Sequence, residues 1–539
     1  MLTALPHAAA VVDEPAHLTA GLLAAAQGDL TVNREHPPLV KVLAALSASS
    51  LSPVLPPEPE GIPRASSDFA FAYARDVLYK ANDADRLLQR ARLPIVALTL
   101  LAGLVLFLWG RALAGPWPAV AALALFAFEP NLLAHGRLVT TDMGAALFSL
   151  ATLACMEHAQ RTQGRLGPWD VAAGVSLGLA LLTRFSSVLL LPVMGACLLA
   201  DRNRDAASRW TGALVCMATA LVVLQAGYVA TGGVQTASLF PLAASATGEP
   251  LRTQPMAGLE AGHVTRWLPL PVPRLWLEGL DLARWKNANV EGPTYLDGAM
   301  SRDGWWSWFV MALAMKGTLP FLVMSAAGLI WLSFAGPRLH ATRVWAGLPA
   351  VALLALTTAL TRAQIGLRYV LPVIPLLCLC AMAPLAAPGR RPVRALLAVA
   401  LIAWHAVAAL SIHPYHLAYF NEAAGGPQAG PRRLVDSNLD WGQDLVGLAA
   451  FLEKRDIPRV NLYYFGTADP DYHGIARAPA PEAGWYAVSA THLAGVYLPD
   501  PDYLASFRTL RPDADIGHSI LLYRLDHVPE RLTKPLRRP

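Results

Sequence analysis

Charged residues are scarce in this chain of 539 residues, since Asp, Glu, Lys and Arg together make up only 15% of it. An average soluble domain is about a quarter charged. Apolar residues make up 55% of the chain, and many apolar runs approach or exceed the roughly 18 to 20 residues that cross a bilayer core. The composition therefore excludes an ordinary soluble protein and predicts a polytopic α-helical membrane protein.

Three further absences narrow the class. No block of Lys and Arg is interleaved with aromatic residues, so nucleic acid is not an expected partner. The five cysteines all lie in apolar runs without metal-ligand spacing to histidines, so neither a disulfide framework nor a cysteine metal site is expected. The first twelve residues have no basic region followed by a long apolar core, so no cleavable signal peptide is predicted.

The apolar runs predict about ten spanning helices, with the stretch from 170 to 200 counted as two spans broken at Thr183–Arg184. Arginines are concentrated in alternate short connections, and the positive-inside rule places those connections in the cytoplasm. The ten runs are residues 92–112, 117–131, 142–158, 170–184, 186–200, 210–230, 306–335, 344–361, 369–388 and 394–412.

These spans divide the chain into three predicted parts. Residues 1–91 form an outer loop, residues 92–412 the transmembrane region, and residues 413–539 a small soluble α/β domain on the same outer side. The transmembrane region includes an outer loop, 231–305, with a predicted interfacial helix at 273–290. Ten spans and an outer tail leave the N-terminus outside as well, so a further spanning helix is expected upstream. The predicted location is the inner (plasma) membrane.

The first chemical motif is the acidic pair Asp13-Glu14. Adjacent carboxylates beside a membrane can serve as a general base and its polar partner. The competing interpretation is a solvated helix N-cap, because Asp before Glu-Pro is good capping chemistry. From this pair alone, the cap is the favoured interpretation.

The second motif is the sequence HPPLVK, from His36 to Lys41. Its two prolines stiffen the entry to an apolar helix and place Lys41 in the first turn, where the ammonium can bind a phosphate. The alternative is an ordinary helix that begins at proline and carries a snorkelling lysine.

The third motif, RLVTTD, runs from Arg137 to Asp142 in a turn between two spans. It offers a phosphate ligand and a second acid, or else a structural ion pair. Three more cations are candidates. Arg184 and Arg368 lie at the same predicted membrane face as this motif, and Lys316 lies within an apolar span. An ionisable residue inside the membrane is a functional candidate by default. Cations and carboxylates at one membrane surface suit an anionic lipid headgroup and an acid–base reaction.

The order DE, HPPLVK and RLVTTD resembles the protein O-mannosyltransferases and their bacterial relatives, a group that includes the lipid A aminoarabinose transferases. Three longer stretches resemble a bacterial branch of this group. They are YLDGAMSRDGWWSWFVMALAMKGTLP (295–320), LRYVLPVIP (367–375) and YFNEAAGGPQAGPRRLVDSNLDWGQDL (419–445). The resemblance implies a GT-C-like fold, with the tail 413–539 in place of the β-trefoil repeats of the eukaryotic enzymes.

The resemblance implies an inverting transfer, at the outer face, of a sugar from a polyprenyl-phosphate carrier to an acceptor hydroxyl. Hexosyl transfer of the mannosyltransferase type is the expected reaction. Asp13 and Glu14 match the catalytic acidic pair, and Asp142 is the second acid. The basic residues that are expected to bind the carrier phosphate are Lys41, His36, Arg137, Arg184, Arg368 and Lys316. Membrane lipids are further partners, the acceptor is left open as protein, lipid or glycan, and no cofactor is assigned, with a divalent metal ion left open.

Two other functional classes are also compatible with a protein that has many membrane spans. A transporter normally shows internal repeats and matched broken helices, whereas here the polar motifs gather at one face. A non-catalytic scaffold leaves the three motifs unexplained. In the tail, Asp436, Asn438 and Asp440 have the first spacing of a calcium loop, but Trp441 and Gly447 stand where an EF-hand needs Gly and Glu. These tail residues are predicted to form turns and a helix cap, with an acceptor-facing role as the alternative.

The predicted topology has a direct test. Single cysteines introduced near positions 205 and 460 should be labelled from opposite sides of the membrane by an impermeant maleimide, because the first lies in an arginine-rich connection and the second in the tail. Labelling of both positions from one side would contradict the topology.

Overall fold

The computed structural model describes residues 1–64, 66–161, 166–201, 203–232, 272–290, 292–387 and 391–533. It is mainly helical and ends in a small mixed sheet, so the predicted fold class is confirmed. Much of the predicted loop 231–305 lies outside the described residues. The longer helices are α1 (Glu14–Gln27), α2 (Leu39–Ala48), α3 (Ser67–Arg75), α4 (Ala84–Ala114), α5 (Pro116–Ala127), α6 (Pro130–His135), α7 (Asp142–Arg161), α8 (Pro168–Thr183), α9 (Leu190–Ala200), α10 (Ala206–Gly232), α11 (Arg274–Ala288), α12 (Trp308–Lys316), α13 (Leu319–Ser333), α14 (Leu348–Leu360), α15 (Val373–Ala381), α16 (Arg391–Ser411) and α17 (Leu445–Lys454). The strands are β1 (Thr294–Leu296), β2 (Ala299–Ser301), β3 (Asn461–Tyr463), β4 (Gly484–Ser489), β5 (Ala514–Ile516) and β6 (Ile520–Leu525).

Four helical stretches in the described part are long and apolar enough to cross a membrane: Ala84–Ala114, Ala206–Gly232, Pro337–Leu360 and Pro392–Ser411. The other predicted runs hold helices that are shorter or less apolar, so the count of ten spans stays a prediction. Large apolar side chains project from the long helices into the surroundings, as Leu100, Val222 and Leu396 do. Apolar surface of this extent is a liability in water and suits contact with lipid.

The predicted break at Thr183–Arg184 is present. Helix α8 ends at Thr183, and Arg184 adopts extended backbone before the chain turns into α9. An arginine that interrupts an apolar run is costly in lipid, and here its side chain is buried within the protein instead. The break therefore places the Arg184 cation in the interior of the helical region.

The predicted single run 306–335 is two helices, which corrects the sequence-based expectation. Helix α12 ends at Lys316, and the hydroxyl of Thr318 starts α13 by accepting a hydrogen bond from the backbone N–H of Phe321 at 3.2 Å. The side-chain amide of Asn421 donates to the Ala314 and Gly317 carbonyls. Broken backbone at membrane depth is tolerated where protein groups satisfy it in this way.

Helices α7, α8 and α10 pack side by side, and α8 lies between the other two. Its sequence carries glycines four residues apart, at Gly174 and Gly178. A Cβ on Gly174 would lie 2.5 Å from the Cys216 carbonyl oxygen, and one on Gly178 would lie 2.6 Å from Cβ of Val223. Small residues at this spacing allow two helix backbones to approach closely.

The tail forms a sheet in the order β3-β4-β6-β5, with β3 parallel to β4 and the other two pairs antiparallel. Leu445, Leu448 and Leu522 share a buried apolar cluster with helices α1, α2 and α3. The backbone N–H of Val12 also donates to the carbonyl of Trp441 at 3.0 Å. The N-terminal segment and the tail therefore lie on the same side of the helical region.

The glycine contact between α8 and α10 predicts a stability effect. Gly174→Ala should cost about 1–3 kcal/mol, because the new methyl meets backbone that cannot rotate away. Gly195→Ala in α9 is the matched control, since a Cβ there meets no atom within 4 Å. Thermal unfolding in one detergent should show a loss for the first variant only, and equal melting temperatures would contradict this packing.

Candidate active site

Asp13 lies at the N-cap position of α1, yet its side chain makes no capping hydrogen bond. Its Oδ2 instead accepts from Nη1 of Arg368 at 2.6 Å. The Asp13 side chain is 19% exposed and that of Arg368 is 8% exposed. The carboxylate therefore stays accessible to a substrate while one cation holds it, and helix capping is not what occupies it.

Glu14 is fully enclosed. Its two carboxylate oxygens accept from Nε and Nη2 of Arg92 at 2.8 and 2.6 Å. They also accept from the backbone N–H groups of Val11 and Val139 at 3.0 and 2.9 Å. A carboxylate with four donors and no exposed surface has no oxygen left for a substrate, so this geometry favours a structural role for Glu14.

Asp142 begins α7, is completely buried, and pairs with Nη1 of Arg184. Both arginines lie near the ring of Tyr369, whose centroid is 4.6 Å from Cζ of Arg184 and 5.6 Å from Cζ of Arg368. Trp441 from the tail covers Arg368, with Cζ 4.4 Å from its ring. The predicted ion pair between Arg137 and Asp142 is replaced by the pair between Asp142 and Arg184. The result is two guanidinium groups beside one tyrosine, each with its own carboxylate.

His17 and Lys41 line the same region from α1 and α2. Nδ1 of His17 lies 2.8 Å from the Val139 carbonyl, and its ring meets the ring of His36 edge-on at 4.9 Å. Lys41 donates to the carbonyls of Asn33 and His36 at 2.8 and 2.7 Å. Burial lowers the pKa of Lys41 to about 7 and lowers the pKa of both histidines. Lys41 is only 4% exposed, so it does not snorkel to the surface.

Arg137 and Lys316 point elsewhere. Arg137 donates to the carbonyl of Pro414 at 3.0 Å and leaves Nε and Nη1 without partners. Lys316 donates to the carbonyls of Leu417 and Asn438 at 2.6 and 2.5 Å, with its ammonium 4.6 Å from the Phe420 ring centroid. Both side chains fasten the chain that follows α16, so their role as phosphate ligands stays a prediction.

No group of three or more His, Cys, Asp and Glu side chains that could hold a metal ion occurs among the described residues. The carboxylates of this site are paired with arginines instead, at Asp13 and Asp142. The open alternative of a divalent metal ion is therefore not assigned to any residue.

Sequence reasoning missed Arg92, His17 and Tyr369 as parts of this region, whereas it offers Asp436 an acceptor-facing role as the alternative to a turn. His17 had a signal, because it lies four residues after Asp13 and so shares its face of α1. Tyr369 follows Arg368 directly in the LRYVLP stretch. Arg92 lies 78 residues from Glu14, and no local pattern connects the two.

Residues 85–226 match the sequence profile of the dolichyl-phosphate-mannose-protein mannosyltransferase family. The predicted resemblance to the GT-C glycosyltransferases that use a phospholipid carrier is thereby confirmed. No protein of curated function matches the sequence.

Chains similar to this one occur among the solved structures. ArnT from Cupriavidus metallidurans bound to undecaprenyl phosphate is 14% identical with a TM-score of 0.47, and the match covers 97% of this chain and 95% of that chain. The apo form of that ArnT is 13% identical with the same TM-score of 0.47 and the same coverage, 97% and 95%. AglB from Archaeoglobus fulgidus, in complex with an inhibitory peptide and a dolichol-phosphate, is 12% identical with a TM-score of 0.45, and the match covers 74% of this chain and 52% of that chain.

The enclosure of Glu14 predicts a stability effect. Glu14→Gln should cost about 3–5 kcal/mol, because it leaves the Arg92 guanidinium buried without a counter-charge. The double variant Glu14→Gln/Arg92→Met should lose less than the sum of the two single losses. Asp471→Asn is the control, since its ion pair with Arg477 is exposed and worth about 1 kcal/mol or less. Additive losses at Glu14 and Arg92 would contradict the pairing.

Proposed function

We propose that the chain is an inverting glycosyltransferase that moves a hexosyl group from a polyprenyl-phosphate carrier to an acceptor hydroxyl at the outer face of the membrane. The observation that carries the proposal is that Cζ of Arg184 and Cζ of Arg368 lie 4.6 and 5.6 Å from the Tyr369 ring centroid, with the partly exposed Asp13 paired to Arg368. The family match supports the carrier, because that family takes its sugar from dolichyl phosphate.

Asp13 is the base in this mechanism. It accepts the proton of the acceptor hydroxyl as that oxygen forms a bond with the anomeric carbon of the donor sugar. The bond between the anomeric carbon and the phosphate oxygen breaks, and its electron pair leaves with polyprenyl phosphate. Attack opposite the leaving group inverts the anomeric centre. Glu14 is reassigned from catalysis to the scaffold, because both of its oxygens are already occupied.

Arg184 and Arg368 stabilise the departing phosphate. Negative charge develops on that group in the transition state, and fixed cations in a dry site stabilise developing charge more than bulk water does. Their carboxylate partners hold the two guanidinium groups in place before the donor arrives, so Asp142 acts as a positioning residue for Arg184.

Lys41 and His36 complete the donor site. The Lys41 ammonium has three donors and gives two of them to carbonyls of the 33–36 loop. One donor is left for a phosphate oxygen, and the lysine also fixes the loop that carries His36. Arg137 and Lys316 donate hydrogen bonds to carbonyl groups of the chain that follows α16. They stabilise that segment and so support the site indirectly.

The proposed location is the inner membrane, with the site and the tail domain outside the cytoplasm. The donor then reaches the site sideways from the outer leaflet, and membrane lipids surround the exposed apolar helices. Because the N-terminal segment and the tail share a core, both lie on whichever side holds Asp13.

The proposal predicts separate effects at Asp13 and Lys41. Asp13→Asn should lower kcat by about 10²- to 10⁴-fold while donor binding stays largely intact, because a base acts only in the chemical step. Lys41→Ala should raise the donor KM, since a ground-state contact with the phosphate is lost. The measurement is transfer from a radiolabelled polyprenyl-phosphate sugar by purified protein in nanodiscs.

Asp68→Asn is the matched control, because Asp68 is an exposed acid of the same outer segment. It should leave both constants unchanged. Wild-type activity in Asp13→Asn would refute the assignment of the base. A wild-type protein that neither binds nor consumes the donor would refute glycosyl transfer and leave the transporter and the scaffold.

A further inference from the structure

A buried carboxylate from the tail lies next to the proposed donor site. Asp436 is 6% exposed, and the charges of Arg368 and Asp13 both act on it. The hydroxyl of Tyr497 donates to its Oδ2 at 2.6 Å. The charge of Arg368 and the phenol of Tyr369 act on Tyr497 in turn. Trp441, five residues after Asp436, covers the same arginine that holds Asp13, with Cζ of Arg368 4.4 Å from its ring, so the pair lies in the part of the tail that meets this arginine.

Both members of the pair have strained backbone. Asp436 has a φ of 58° and Tyr497 a φ of 63°. Neither is glycine, and a non-glycine residue in the left-handed region is strained and persists only where its surroundings hold it. Such outliers are concentrated at functional sites, and here two of them share one hydrogen bond.

The residues that follow Asp436 contact the helical region, while its own backbone N–H donates to Oγ1 of Thr491 in the tail at 3.1 Å. Ser437 donates to the Ile365 carbonyl at 2.9 Å, and the Leu367 N–H donates to Oδ1 of Asn438 at 2.9 Å. A Cβ on Gly366 would lie 2.1 Å from Oγ of Ser437. The segment after Asp436 is thus fastened to the segment before Arg368, and this fixes the tail carboxylate relative to the donor arginine.

The Tyr497 ring is a second feature of the pair. It lies parallel to the ring of Phe465, with centroids 5.3 Å apart and 12° between the planes. The residue is nevertheless 40% exposed. A rigid aromatic surface that is open to solvent, beside a carboxylate, is a combination that suits a sugar. The ring packs against the C–H face of a pyranose. Oδ1 and Oδ2 of Asp436 each accept one hydrogen bond within the protein, from the Ser437 N–H and the Tyr497 hydroxyl, and the second lone pair of a carboxylate oxygen can accept one from a sugar hydroxyl.

We infer that Asp436 and Tyr497 form the acceptor subsite, and that the acceptor is a saccharide. The inference rests on the proposed function and adds the acceptor class to it. The Tyr497 ring supports the sugar ring, and the carboxylate–phenol pair binds one of its hydroxyls. This contact aims the attacking hydroxyl toward Asp13. Burial raises the pKa of Asp436 to about 6, so the carboxylate is ionised and accepts hydrogen bonds near neutral pH.

A binding experiment without donor tests the inference. The full chain, fluorescently labelled in lipid nanodiscs, is applied to a printed glycan array and to an array of Ser/Thr-containing hexapeptides. Wild type should bind a set of saccharides and not the peptides. Tyr497→Ala should weaken that binding by more than tenfold, and Tyr497→Phe and Asp436→Asn by about three- to tenfold, as expected for one lost hydrogen bond.

Tyr472→Phe is the matched control. Tyr472 is another tail tyrosine whose hydroxyl donates to a carboxylate, in this case to Oδ1 of Asp83 in the N-terminal segment at 3.3 Å. If the Tyr497 hydroxyl only stabilises the fold, Tyr472→Phe and Tyr497→Phe should reduce saccharide binding equally. That result would overturn the inference. Unchanged saccharide binding in Tyr497→Ala, binding of peptides in place of glycans, or no glycan binding by wild type would overturn it as well.

Donor binding separates this inference from the proposed function. A photo-crosslinkable polyprenyl phosphate should label wild type and Tyr497→Phe equally. If labelling persists while glycans are not bound, only the acceptor assignment fails. If wild type is not labelled, the donor site itself is wrong.

Discussion

The buried pairing of Glu14 with Arg92 is the constraint on which the site depends. A carboxylate removed from water is stable only when it is paired and hydrogen-bonded, and Glu14 meets that condition with donors from three segments. Arg92 comes from α4, while Val11 and Val139 contribute backbone N–H groups. The pair thus fixes the start of α1 against α4 and the turn before α7. Asp13, one residue earlier, has its position set by this anchor.

Asp13 and Glu14 are neighbours in the sequence, but their side chains point in different directions and therefore have different surroundings. Glu14 points into the protein and is enclosed, whereas Asp13 points to Arg368 and keeps exposed surface. The sequence pattern DE alone does not distinguish the two, since either carboxylate can act as a base and either is favourable at the start of a helix, Asp as the N-cap and Glu in the first turn. Only the position of Arg92 and Arg368 in the folded chain decides which acid is enclosed and which keeps exposed surface.

Much of the helical region could be predicted because apolar runs report burial in lipid directly, and the arginine at position 184 marked a break. The break at Gly317 was missed, because residues 306–335 are mostly apolar and the capping hydroxyl of Thr318 was not weighed. The charged residues around Tyr369 were also predictable as candidates from the sequence, although Arg92 was not. Their pairing was not, because Asp13 and Arg368 are 355 residues apart, and nothing local specifies such a contact.

The tail is part of the site rather than an appendage to it. Trp441 covers Arg368, and Ser437 and Asn438 bind the chain at Ile365 and Leu367. Arg368 in turn holds Asp13 on the N-terminal segment. A single guanidinium therefore contacts the tail and the acidic loop at once. These contacts join segments far apart in sequence, so the tail and the N-terminal segment both contribute to the surroundings of Arg368.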